Sequence, residues 1–208
     1  MIPAPPTGTD GCDQILRGIL PAGTVLYRFN PAQHANGLFF NTQPTGRWND
    51  PAGVYGILYA ADSVDTAFAE SLGRNLTQRK SPTETKFLSI AELNSQHIWQ
   101  ITLKESLLLA ELNGNGLPRL SLDAGIAAGS DYTTTQQWSA WIRQCPHNFH
   151  GIRYHARSLP SGLCLALYDT CRPHLDGVNL GPADQWQDPA TGRSIDEILY
   201  SQGWALTG

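Results

Sequence analysis

The chain has little charge: Asp, Glu, Lys and Arg make up 15% of its 208 residues, so few surface ion pairs are available to it. Its apolar share of 41% still provides for a sizeable core and excludes a disordered chain. Basic runs are absent and the formal net charge is −4, so the clustered Lys and Arg of a nucleic-acid-binding surface are missing. No apolar run approaches membrane-spanning length, and the opening M-I-P-A-P-P-T-G-T-D-G lacks the apolar core of a signal peptide. The expectation is a soluble, cytoplasmic protein, in its own cell or in another to which it is delivered. Cysteines are few. Cys12, Cys145, Cys164 and Cys171 form no C-x-x-C pair, which argues against a zinc ribbon or a disulfide framework and for reduced thiols. The length fits one domain over 1–208, without internal repeats.

Several familiar chemistries are missing too. There is no G-x-S-x-G elbow, and Gly53-Val54-Tyr55-Gly56 has neither the spacing nor the following helix of a phosphate loop. Cys145, His147, His150 and His155 lie close together. Pro146 interrupts them, however, and no carboxylate or second cysteine stands at ligand spacing, so no metal is expected.

What is present reads as alternating short strands and helices. A short helix is expected within Cys12 to Leu20, and a strand over Thr24 to Asn30, with Val25, Tyr27 and Phe29 on one face. Arg28 within that strand is either an edge residue facing water or a buried guanidinium in need of an anion. Residues 31–47 read as loop, continued by Asn49-Asp50-Pro51 and Gly53, so that Arg47 and Trp48 sit on a loop, and Ile57 to Ala61 reads as a short apolar strand holding Tyr59. Asp62 or Ser63 can cap the next helix and Gly73 can end it. Val64, Ala67, Phe68, Ser71 and Leu72 form its apolar stripe, which leaves Glu70 on the flank or the exposed face. Leu76 to Thr85 is polar and expected to be mobile. Strands are expected over His97 to Leu103, Leu107 to Leu112, Gly151 to Arg157 and Leu163 to Asp169, with a helix around Trp138, Trp141 and Ile142. Ser194 and Glu197 have capping-box spacing for a last helix, Ile195 to Gln202. The stretch 171–208 reads as an appendage.

Arg28, Arg47, Tyr59 and Glu70 remain as candidate functional residues. Two arginines can clamp a pyrophosphate by charge-assisted hydrogen bonds. A tyrosine offers a flat surface to a nicotinamide or adenine ring. A carboxylate can stabilise the positive charge that grows on a ribose as its glycosidic bond breaks. Together they suit cleavage of the nicotinamide–ribose bond of NAD. As to Glu70 itself, periodicity alone favours a solvated glutamate.

L-Y-R-F at Leu26–Phe29, G-R-W-N at Gly46–Asn49, L-Y-A-A-D-S-V-D-T-A-F-A-E at Leu58–Glu70, G-I-R-Y at Gly151–Tyr154 and L-A-L-Y-D at Leu165–Asp169 stand in the order of the RES-domain toxins, which the chain resembles over about 22–170. The resemblance implies an α+β, ADP-ribosyltransferase-like fold: a mixed, split β-core with flanking helices and NAD bound in a central cleft. It implies toxicity through NAD consumption, by hydrolysis or phosphorolysis, or through ADP-ribosylation of a protein, and neutralisation by an antitoxin or immunity protein. NAD would be the substrate, with no added cofactor. By motif, Arg28, Arg47, Tyr59 and the adjacent Tyr27 would contact NAD, and Glu70 and Arg28 would act in catalysis. The family serine is missing, since its position is Ala156. Either Ser158, two residues on, supplies the hydroxyl from a shifted place, or the protein works without it. A non-catalytic nucleotide- or partner-binding scaffold is the rival reading.

Overall fold

The computed structural model describes residues 2–77 and 85–208, so most of the polar stretch expected to be mobile lies outside the described residues. The strands are β1 (Arg17–Leu20), β2 (Val25–Pro31), β3 (Ile57–Ala61), β4 (Lys86–Ser89), β5 (Gln96–Leu103), β6 (Leu107–Leu112), β7 (Gly151–His155), β8 (Leu163–Tyr168), β9 (Leu175–Pro182) and β10 (Trp204–Thr207). The α-helices are α1 (Val64–Glu70), α2 (Leu72–Thr77), α3 (Ile90–Asn94), α4 (Gly116–Arg119), α5 (Thr133–Gln144) and α6 (Ile195–Ser201).

Eight strands form one sheet in the order β1-β6-β7-β8-β3-β2-β5-β9, and β10 pairs with β4 in a second, parallel ribbon. Only β6 and β7 run parallel within the large sheet; its other neighbours are antiparallel. This is the expected α+β architecture with a mixed sheet. β2 and β3 share a single register pair, Tyr27 with Ala61, whereas β2 follows β5 along its whole length. The sheet therefore opens between β2 and β3. Both of its faces are covered: Leu26, Leu58, Ile101 and Leu167 pack on one side, and Phe29, Phe68, Ile98 and Ile152 on the other.

Several expectations change. Cys12–Gln14 is a single 3-10 turn and Arg17–Leu20 an edge strand, where a helix was expected. Here the pairing of Ile19 and Leu20 with β6 overrides a weak local helical pattern. β5 and β6, although joined by a short turn, do not pair; β6 lies between β1 and β7, at the far side of the opening from β5. Residues 171–208 are no appendage. β9 is an edge strand of the large sheet on β5, and Ile195, Ile198, Leu199 and Trp204 lie in the main core. The expected capping box at Ser194 and Glu197 is formed. Cys12 and Cys145 are joined in a disulfide with Cα atoms 5.8 Å apart, against the expectation of reduced thiols. Their separation of 133 residues is why no short-range Cys pattern announced it. Among the described residues no helix is long and apolar enough to cross a membrane.

Candidate functional site

The opening between β2 and β3 is a cleft of about 170 Å³. Tyr27, Arg28, Arg47, Tyr59, Glu70, Arg74, Tyr154 and Cys164 line it. Five of the six residues singled out from sequence thus meet in one hollow; Ser158 does not.

Arg28 sits on β2. Its guanidinium donates to the carbonyls of Gly37 (3.0 Å) and Phe39 (3.3 Å) and to Asn30 Oδ1 (3.4 Å), while Nε has no partner. Burial lowers its pKa to about 10, so it stays cationic at neutral pH. Among the described residues no carboxylate pairs with it, and backbone carbonyls stand in the place of the anion expected for a buried guanidinium.

The loop that carries Arg47 is held from both sides. Tyr59 Oη accepts the N–H of Trp48 and donates to Asn49 Oδ1, both at 2.8 Å. A Cβ on Gly46 would lie 2.6 Å from Tyr59 Oη and 2.3 Å from Asn49 Oδ1, so only glycine lets the loop come this close. From the other side Gln136 Nε2 donates to the carbonyls of Pro44 and Gly46, both at 2.9 Å, and Thr135 Oγ1 to that of Arg47 at 2.8 Å. Arg47 is 4% exposed, donates to the Ile126 carbonyl (3.2 Å), and stacks on the Tyr132 ring with Cζ 4.9 Å from the centroid. Burial depresses its pKa, the charges of Arg74 and Arg157 add to this, and the Glu70 charge opposes it.

Glu70 is the last residue of α1. Ser63 caps the start of that helix by accepting the Thr66 N–H at 3.2 Å, and the chain breaks direction at Ser71, before the expected stop at Gly73. Glu70 Oε1 accepts the backbone N–H of Arg157 at 2.6 Å, which aims the carboxylate along the wall of the cleft. Periodicity pointed to solvent because it assumes one buried face. In fact Thr66 and Ala69, off the expected stripe, are buried too, under the β7–β8 turn and the C-terminal segment. Phe68 meets Trp204 edge to face at 5.8 Å, and Arg193 pairs with Asp65 at 2.8 Å.

Ser158 is exposed, donates to the Ala69 carbonyl at 3.0 Å and lines a separate hollow with Lys86, Ser201 and Trp204. The expectation that it replaces the missing hydroxyl is not met, because the turn carries it behind α1 and away from the cleft. Ala156 is buried in the core, its N–H donated to Gly162 O at 3.0 Å.

Two lining residues went unassigned in the sequence. Tyr154, within the G-I-R-Y block, is buried against Trp48 with ring centroids 5.4 Å apart, and burial holds its hydroxyl protonated. Arg74 lies on α2, past the break at Ser71, and its Cζ lies 5.2 Å from the Tyr132 centroid. Cys164 also lines the cleft, but burial, with the Glu70 charge second, pushes its thiol far up, so it offers no thiolate nucleophile. Three of the four residues considered for metal have other partners: Cys145 in the disulfide, His147 with Asp13 at 3.0 Å and His150 with the Leu108 N–H at 3.1 Å. A buried tyrosine wall, a cationic floor and a single aimed carboxylate can bind a multiply charged anion and stabilise a cation beside it.

A curated relative, "Probable toxin y4kH" of Sinorhizobium fredii (strain NBRC 101917 / NGR234), is 28% identical over 101 residues, covering 49% of this chain and 79% of that protein. A chain in the crystal structure of the M. tuberculosis MbcT–MbcA toxin–antitoxin complex superposes with a TM-score of 0.59 at 20% identity, over 84% of this chain and 92% of that one. That likeness establishes the fold. The RES domain family model matches residues 24–190, four-fifths of the sequence and all of the cleft, and the chain belongs to the RES domain family.

Proposed function

We propose that this protein is an NAD-degrading toxin that cleaves the nicotinamide–ribose bond and is neutralised by a partner antitoxin. The observation that carries the reading is the charge of the cleft. Among the described lining residues, Arg28, Arg47 and Arg74 stand against one carboxylate, Glu70, a positive balance that suits a diphosphate. The toxin-antitoxin setting is supported by the two similar proteins, one a probable toxin and the other a chain of a toxin–antitoxin complex.

In this reading the arginines fix the diphosphate and so orient the nicotinamide ribose against Glu70. The C1′–N bond breaks with its electron pair going to nicotinamide, which leaves as a neutral base, so no strong general acid is needed. Glu70 stabilises the oxocarbenium charge, its lone pairs aimed by the Arg157 N–H. Water then adds at C1′ and releases a proton to give ADP-ribose; phosphate in its place gives ADP-ribose-1″-phosphate. Tyr27 and Tyr59 form the aromatic wall. The buried alanine at position 156 favours the rival, a scaffold that binds NAD without turnover, and an acceptor side chain on a target protein would make the enzyme a transferase.

Incubation with NAD, with and without phosphate or lysate, separates these outcomes by chromatography of nicotinamide and the ribose product. Glu70→Gln should lose on the order of 10²–10³-fold in kcat. Wild-type-like NAD loss in that variant would remove Glu70 from the mechanism. Arg47→Ala should chiefly raise KM, and an unchanged KM would count against the clamp.

A further inference from the structure

Tyr132 immediately precedes α5, and its carbonyl accepts the Gln136 N–H at 2.8 Å, which locks it to the helix start. Its ring contacts two guanidinium groups: that of Arg47, at 4.9 Å, and that of Arg74, at 5.2 Å. Arg47 comes from the loop after Gly46 and Arg74 from α2, so the ring ties together two segments on either side of Glu70 in the chain. Both arginines line the cleft, whereas Tyr132 stands behind them. Two like charges on one ring repel each other, and the charge of Arg74 does help to lower the pKa of Arg47. The electron-rich ring face offsets part of that repulsion. An anion bridging both groups would be attracted by both charges, and a single phosphate or a diphosphate has the oxygens to reach them.

From this geometry we infer that Arg74 is a substrate-binding residue and Tyr132 a positioning residue, which with Arg47 make a two-pronged clamp selecting ligands that carry a diphosphate. The inference rests on the proposed NAD reading and adds to it the basis of substrate choice. Arg74 holds phosphate oxygens directly. Tyr132 acts through the arginines, fixing the angle between them, so it is needed for its ring and not for its hydroxyl. A substrate without phosphate, such as nicotinamide riboside, forgoes the clamp altogether.

The test is calorimetric binding of ADP-ribose, with kcat and KM for NAD and for nicotinamide riboside, on the whole chain. Arg74→Gln should weaken ADP-ribose binding and raise KM for NAD by roughly tenfold, the scale of one lost charge-assisted hydrogen bond, with kcat within about twofold. The NAD preference over nicotinamide riboside should shrink by the same factor. Tyr132→Leu should follow Arg74→Gln in direction, and Tyr132→Phe should match wild type, which a role for the hydroxyl would not allow. If wild type binds ADP-ribose and Arg74→Gln, folded by its melting curve, binds it equally well, the clamp is overturned and the NAD reading stands. If wild type neither binds ADP-ribose nor consumes NAD, both fall.

Discussion

Tyr59 illustrates how one hydroxyl can decide whether a charge is usable. Burial raises its pKa well above the ordinary value, with the Trp48 N–H opposing, so it remains a neutral donor and acceptor. It spends both capacities on the loop: it accepts from Trp48 and donates to Asn49, in the space that Gly46 leaves open. Replacing Tyr59 by Phe keeps the ring in the cleft but strands the Trp48 N–H, whose indole is fully buried. Such a loss costs about 1–3 kcal/mol. The expected outcome is a lower Tm by calorimetry together with a raised KM for NAD, because the loop that fixes Arg47 is loosened. Were Tyr59 only a stacking surface, Tyr59→Phe would be silent in both measurements.

At the scale of elements, the cleft depends on the β7–β8 turn gripping the end of α1. The Arg157 N–H aims Glu70, and the Ser158 hydroxyl holds the neighbouring Ala69 carbonyl. A tether of that kind is worth about 1 kcal/mol. Ser158→Ala is therefore expected to lower Tm slightly and to leave NAD turnover within about threefold, since the backbone N–H that aims Glu70 survives. A hundredfold fall in kcat with an unchanged Tm would return the hydroxyl to the chemistry. This element also marks what was legible in advance. Alternation found β2, and short apolar runs bounded by turns found β3, β7 and β8, which are largely buried, and so Arg28 and Tyr59 were found with them. Helical periodicity misjudged Glu70, because α1 is covered on two sides by segments distant in sequence. Ser158 was misjudged because a turn, not a continued strand, follows His155. Tyr132 carried no signal at all: its role comes from two guanidinium groups that only the folded chain brings to its ring.

For the whole molecule, the decisive links are those between chain segments far apart. The C-terminal segment lies over α1, and the N-terminal segment is fastened to α5 by the Cys12–Cys145 disulfide, the His147–Asp13 contact at 3.0 Å and the Trp138 Nε1 bond to Pro3 O at 2.8 Å. The far end of α5 in turn holds the Arg47 loop through Thr135 and Gln136. A crosslink closing so long a loop removes conformational freedom from the unfolded chain, worth about 2–5 kcal/mol. For a chain of this size that is a Tm lower by roughly 5–15 °C on reduction. The expected result is this drop in dithiothreitol, reproduced by a Cys12→Ser, Cys145→Ser double variant that no longer responds to reductant. Thiol titration of the unreduced, denatured protein should count Cys164 and Cys171 alone, since these are the free cysteines. Four titrating thiols and a reductant-insensitive Tm would show that the pair is not bonded in solution. A crosslink that persists fits an oxidising surrounding. The same titration on protein drawn from different compartments would therefore tell where the bonded form resides.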